Sequence, residues 1–410
     1  MIRILVLAIV LCAAAIRPLA AQDTNFVPMP AADSQAPPGW SFVPTIAVGT
    51  SYDDNVLIRG QGDQTPGDML STINPRGALD YNGGRGQLSA SYDGSLLLYR
   101  QLDQLNSLDQ HASFYGHRLL TKHVAVFVRE SLADVPTTEL QQLVAIPFVR
   151  TGSVVNDLHS GVEAGLTKRT SMTVSYDFQF VNFDQGNPPS TSLIGGHSNG
   201  ASAVLKHVLN ARLTLTANYD IQHAILDDQQ TALGVFSQTF DVQNARAGAE
   251  YRLSEGTHVF GDAGISRLDV SQFNVSRTGP AWRMGLVHKM RQVGVDILYA
   301  RSFVPSYGFG GTMQNEELTG RVQLPISRRM YTSSAVSWRR DDPIIETALF
   351  GNLPLRSVWL EGTFGYAMSP QIRLEVFYAG THQTIDRPGG VLDRNRVGVQ
   401  IVAAKPMRIR

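Results

Sequence analysis

From residue 40 onward, apolar and polar side chains alternate with a period of two, in segments of about ten to fourteen residues. The clearest is 169–182. Met172, Val174, Tyr176, Phe178 and Phe180 fall on one side; Thr173, Ser175, Asp177 and Gln179 fall on the other. In 212–221, Leu213, Leu215, Ala217, Tyr219 and Ile221 oppose Arg212, Thr214, Thr216, Asn218 and Asp220. The apolar side of 293–303 is Val293, Val295, Ile297, Tyr299 and Phe303, and that of 371–379 is Ile372, Leu374, Val376 and Tyr378. Successive residues of a strand point to opposite faces, so each segment predicts a strand with one wet and one apolar face. About eighteen such segments lie between 40 and 403.

The connections fall into two length classes that alternate along the chain. Short turns are expected at 82–84, 120–121, 168, 209–210, 253–255, 290–291, 326–327 and 368–370. Long connections are expected at 53–68, 133–152, 184–195, 225–239 and 341–354, among others. A transmembrane barrel has this asymmetry: short periplasmic turns, long outer loops, an even strand number and both termini on the periplasmic side. The expectation is an all-β fold, a transmembrane antiparallel β-barrel of about eighteen strands over 40–404. A basic tail, 405–410, follows it.

Composition agrees. Past residue 21 no apolar run approaches the length of a membrane helix, and the longest, 143–149, is interrupted by Pro147. A chain of this kind enters a bilayer only as a closed barrel, where every backbone group is paired. Lys plus Arg and Asp plus Glu are equal, 35 each, which argues against a nucleic-acid binder.

The N-terminus has a different pattern. Arg3 precedes an apolar stretch, 4–16, too short to span a bilayer, and Leu19-Ala20-Ala21 offers a small-residue cleavage site. A signal peptide over 1–21, cut between Ala21 and Gln22, is expected. Residues 22–39 are Pro-rich without apolar period and read as an extended periplasmic arm. The single cysteine, Cys12, lies in the signal, so the exported chain would have no thiol chemistry.

The polar faces carry both signs of charge. Candidates to line the lumen are Arg76, Asp80, Asp93, Glu163, Asp177, Arg212, Asp220, Arg246, Glu250, Arg252, Asp262, Arg283, Asp296, Arg321, Glu361, Arg373 and Glu375. On the lipid face a charge at the midplane would cost about 2–4 kcal/mol, so these belong inside. A mixed lining predicts cross-strand ion pairs and a polar interior without strong ion selectivity. Tyr52, Tyr81, Tyr99, Phe183, Tyr251, Phe303, Tyr331, Trp338 and Tyr378 lie near strand ends, where rings suit the membrane interface.

No catalytic, nucleotide or metal motif is present. His111 and His117 share a strand face but sit roughly 20 Å apart, too far to chelate one metal. Neither a cofactor nor a metal is expected. Tyr52-Asp53-Asp54-Asn55 ends the first strand. Its oxygens could hold a cation or sugar hydroxyls, or form an Asx-type turn; the turn is favoured.

Tyr52-Asp53-Asp54-Asn55-Val56, then 68–73, Asn74-Pro75-Arg76-Gly77, 88–92 and Tyr99, resemble β-barrel porin family 2, with the family's Pro-Gly pair split here by Arg76. The likeness continues over 108–120 and 122–132, and beyond about 135 rests on strand rhythm alone. The resemblance implies an outer-membrane barrel of a Gram-negative cell, associated with exopolysaccharide export or surface deposition. Its partners would be outer-membrane lipid, the barrel assembly machinery, and polysaccharide or periplasmic export components. The expected function is porin-like passage or a part in that export, without covalent chemistry. The alternatives are a structural or adhesive barrel with a plugged lumen and, further off, a lipid hydrolase in the barrel wall. The connection 133–152, with its apolar stretch 143–149, is the candidate plug.

Overall fold

The structure is a computed structural model that describes residues 39–60, 65–137, 148–184, 193–231, 234–290, 293–308, 311–344, 354–385 and 390–409. The expected signal peptide with its Ala21–Gln22 cleavage site lies outside these residues, as does the Pro-rich arm up to residue 38.

Eighteen strands follow one another: β1 (Gly39–Asp53), β2 (Asp68–Gly83), β3 (Gly86–Tyr99), β4 (Ser107–Leu119), β5 (Val124–Val135), β6 (Ser153–Gly165), β7 (Thr170–Phe183), β8 (Gly196–Val208), β9 (Leu213–Thr231), β10 (Gly234–Ser254), β11 (Thr257–Val270), β12 (Val275–Met290), β13 (Val293–Pro305), β14 (Thr312–Pro325), β15 (Met330–Pro343), β16 (Leu355–Ala367), β17 (Ile372–Ile385) and β18 (Val391–Ala404). Each pairs antiparallel with its chain neighbours. β1 also pairs with β18, from Thr45↔Ala404 to Asp53↔Arg396, and this closes the barrel. Closure leaves no unpaired strand edge, which a bilayer would not tolerate.

The C-terminus corrects one expectation. Pro406 has no N–H to give and interrupts the last strand. Met407–Ile409 then resume pairing with Trp40–Phe42. The expected free tail at 405–410 is therefore, through Ile409, part of the wall. A second correction concerns 225–239: most of this stretch is strand, because β9 and β10 run on as a long hairpin with register up to Gly234↔Thr231.

Five of the short turns share a device. Thr121 Oγ1 accepts from His123 N and Val124 N, both at 3.1 Å. Thr167, Asn210, Ser327 and Ser369 do the same for the two amides before or at the start of the next strand. A short polar side chain two residues ahead thus substitutes for a backbone turn.

The two faces sort by exposure. Val48, Val174, Ile265, Met284, Leu318 and Ile401 belong to an exposed apolar row on the outside. In water, apolar surface left exposed forgoes about 25 cal/mol per Å² of stabilisation; in a bilayer it is solvated by lipid. Of the aromatics expected at the interface, Tyr52, Tyr81, Tyr251 and Tyr378 are exposed. Tyr99, Phe183 and Phe303 are buried instead, and Tyr331 points inward to the Glu375 carboxylate. Phe303 differs because β12–β13 pairing stops at Trp282↔Arg301. Beyond that point β13 no longer pairs with β12, and Phe303 packs over Gly279 and joins a buried cluster.

Candidate functional site

The seventeen charged lumen candidates fall opposite the exposed apolar row, mostly in cross-strand pairs. Arg76 Nε lies 3.1 Å from Asp93. Arg246 sits between Asp220 at 2.9 Å and Asp262 at 3.4 Å. Asp296 and Arg321 are register partners, as are Asp262 and Arg283, and the Arg283 guanidinium lies over the Phe260 ring. Asp80 accepts from Ser89 Oγ. Asp177 meets the His159 ring. Glu375 collects Tyr331, Gln400 and Arg373. Glu361 and Glu250 sit on the same face of β16 and β10. Arg212 and Arg252 are exposed at the short-turn rim, where Arg252 N donates to Arg212 O.

The Tyr52–Asn55 motif closes on itself. Tyr52 is exposed on the outer face. Asp53 is fully buried and takes Arg394 Nε at 2.9 Å. Asp54 accepts from Asn395 N and Nδ2 at 2.6 and 2.7 Å. Asn55 Oδ1 accepts from Arg59 N, and Asn55 Nδ2 donates to Arg59 O and Asp393 O. Asn55 N donates to Asp53 Oδ1 at 3.1 Å, an Asx-type turn. Each carboxylate or amide oxygen of Asp53, Asp54 and Asn55 is thus engaged by the chain.

The outer end of the interior is apolar, which the alternation does not reveal. Ala133, Val155, Val181, Leu226, Phe240, Val242, Leu268 and Val270, from β5–β7 and β9–β11, form one buried cluster. Fully burying such a side chain is worth about 1.5–3 kcal/mol, so the cluster holds the loops folded onto it. Leu193, Ile194 and Tyr307 are those loop residues. The β7–β8 and β13–β14 loops are clasped by Ile194 N to Gly308 O at 3.1 Å and Gly308 N to Ile194 O at 2.7 Å. Gly308 (φ 93°) and Gly311 (φ 110°) supply left-handed backbone to this tight loop. Burial pushes the Tyr307 phenol up to about 12, opposed by the Ser198 hydroxyl and reinforced by Asp157 and Asp227.

The β5–β6 loop crosses to the far wall. Phe148 N donates to Gln383 Oε1 at 2.7 Å, and Gln383 Nε2 donates back to Phe148 O at 3.4 Å. The Phe148 ring packs with Ile58 and Leu392 under the Arg394 guanidinium. Its neighbour Val149 packs on the large cluster of the opposite side. Arg150 donates to Val56 O, Tyr99 OH and Leu105 O at 3.1–3.2 Å and covers the Tyr99 ring. Three consecutive residues thereby bridge β17, β18, β3, the β1–β2 loop and the β5–β11 cluster. Ile58 has φ 54°, a strained conformation for a β-branched residue. Its side chain is held against Phe148 in that geometry. The expected plug segment 143–149 lies outside the described residues up to 147; Phe148 and Val149 are its visible end.

Nearer the short-turn end, Tyr115, Phe127, Arg129, His159, Glu163 and Lys206 line a recess of about 230 Å³. Phe127 lies over Gly161, where a Cβ would come within 2.7 Å of the ring. No group of His, Cys, Asp and Glu suited to a metal occurs among the described residues.

No family model and no curated protein matches the chain. Among solved structures, Acinetobacter baumannii OccAB4 is similar at 8% identity and TM-score 0.43, over 90% of this chain and 98% of that one. Pseudomonas aeruginosa OprD matches at 10% and 0.42, over 89% and 95%. The outer membrane protein OpdK of Pseudomonas aeruginosa matches at 9% and 0.44, over 90% and 99%.

Sequence reading missed Gln383, Arg394 and Ile58, which receive Phe148. Arg394 and Arg396 do alternate at the outer end of β18 and carried a signal; Gln383 carried none.

Proposed function

We propose that the protein is an outer-membrane channel for small polar solutes, with a charged, water-lined interior narrowed at its outer mouth by the β5–β6 and β13–β14 loops. The observation that carries this is the span Phe148–Arg150, anchored at both sides of the barrel. The paired charges below it suit a hydrated passage: Arg76 with Asp93, and Arg246 between Asp220 and Asp262, set the two signs side by side, so a solute meets dipoles there rather than a bare field. No covalent chemistry is part of the proposal.

The export role implied by the sequence resemblance deepens this reading in one way. A polysaccharide strand would pass only with Phe148–Arg150 displaced, by the polymer or by a periplasmic export component. A second reading, a sealed structural barrel, is favoured by the apolar cluster at the outer end.

Planar-bilayer recording separates them. Wild type is expected to give small, stable steps that scale with salt, and Phe148→Ala larger ones. Silence from both, in protein that shows heat-modifiable gel migration, would retire the channel in favour of the sealed barrel.

A further inference from the structure

On β13–β16 the outward apolar run ends abruptly at one level. Val293, Val295, Ile297 and Tyr299 are followed by Arg301 on β13. Leu318 gives way to Glu316 on β14, Trp338 to Arg340 on β15, and Val358 to Arg356 on β16. These four charged residues are consecutive register partners: Arg301↔Glu316, Glu316↔Arg340, Arg340↔Arg356. They form one lateral row at the long-loop side of the belt, about 14 Å wide at the usual strand spacing. Trp282 extends it, with Arg301 stacked 4.8 Å over its ring. Tyr299, Leu318, Trp338 and Val358 form the next row down.

The charges do not balance locally. Glu316 is taken by Arg301 at 3.0 Å, and Asp342 by Arg340 Nε at 2.7 Å. Arg356 is exposed and has no ion-pair or hydrogen-bond partner among the described residues. Arg340 and Arg356 stand directly opposite each other, an arrangement that destabilises a sheet unless an anion lies between them. Elsewhere on the outer face Arg267 meets Asp269 within its own strand, and Arg118 stands exposed at the short-turn rim, far from this row.

The geometry points to a binding site for a phosphorylated glycolipid of the outer leaflet, its phosphate bridging Arg340 and Arg356 and its acyl chains lying on the apolar rows beneath. A soluble anion would use the arginines alone. The unbroken continuation into exposed Leu318 and Leu360, with half-buried Trp338 in the same outward row, commits the site to a lipid. Arginine suits the task because its planar fork presents two parallel donors to a phosphate.

This inference rests on the outer-membrane reading, and the test keeps the two apart. Refolded full-length protein is titrated in detergent micelles with diphosphoryl lipid A or its dephosphorylated form, and bound lipid is counted by native mass spectrometry. Wild type is expected to bind the phosphorylated lipid at least tenfold more tightly than Arg340→Gln/Arg356→Gln. Arg267→Gln, at a paired outer-face arginine, should bind like wild type. Equal binding by the double variant, or equal binding of the dephosphorylated lipid to wild type, overturns the site while leaving the barrel intact. Failure of wild type to insert into vesicles would overturn the membrane reading with it.

Discussion

Asp53 and Arg394 meet across the closing seam of the barrel. Arg394 Nε and Nη2 lie 2.9 and 2.5 Å from Asp53 Oδ2, and the aspartate is fully buried. The two residues are 341 positions apart, on the first and last strands. Removing one partner leaves a buried charge alone, which costs about 3–5 kcal/mol. Asp53→Asn is therefore expected to lower the urea midpoint of the refolded barrel strongly. Asp53→Leu/Arg394→Met, which removes both charges, should recover most of the loss. A single variant as stable as wild type would show that the seam does not depend on this pair.

Gln383 holds the β5–β6 loop by two hydrogen bonds to one residue, Phe148. Gln383→Leu leaves the buried Phe148 amide without a partner, at a cost of about 1–3 kcal/mol to the folded-in loop. The loop should then sample its released state on the order of ten to a hundred times more often, since about 1.4 kcal/mol is tenfold. Single-channel records should show frequent openings to a larger step. A trace identical to wild type would mean the loop is held elsewhere.

The Tyr307 ring packs the β13–β14 loop onto the buried cluster of the wall, and its phenol is pushed up to about 12. An acid whose folded value is raised favours the protonated folded form, so its contribution is complete below pH 10. That contribution is lost as pH climbs from 10 toward 12, where the unfolded state releases its proton first. Loop protection, followed by limited proteolysis near 306–308, is expected to fall across that window in wild type. Tyr307→Phe has no proton to release there and should show a flatter profile.

Gly264 on β11 faces the Arg246 hub of β10. A Cβ at Gly264 would lie 1.8 Å from Ala245 O and 2.7 Å from Arg246 Cα. Backbone cannot yield as a side-chain tip can, so Gly264→Ala should cost about 1–3 kcal/mol. The shift should also pull Arg246 from Asp220 and Asp262. Gly84→Ala, in an exposed turn with open space, is the matched control. Equal stability of the two variants would contradict the packing described here.

The chain alone specified the strands and their order. A period of two is a local property, written in residues such as 172–180, and two connection lengths sort the ends of the barrel without any tertiary knowledge. The turns were equally local: Thr121, Thr167, Asn210, Ser327 and Ser369 recur at the same place before β5, β7, β9, β15 and β17. The interior was legible only below its outer end. Alternation separates a polar face from an apolar one, but near Leu226, Phe240 and Val270 the apolar side chains are the inner ones and Asp227, Asp241 and Asp269 lie on the alternate face, so polarity no longer tells which side is inside. Tertiary structure decided that, and it also brought Phe148 to Gln383 across 235 residues and Arg340 opposite Arg356 on neighbouring strands. Such contacts depend on barrel closure, loop direction and register, none of which is a property of any short window of sequence.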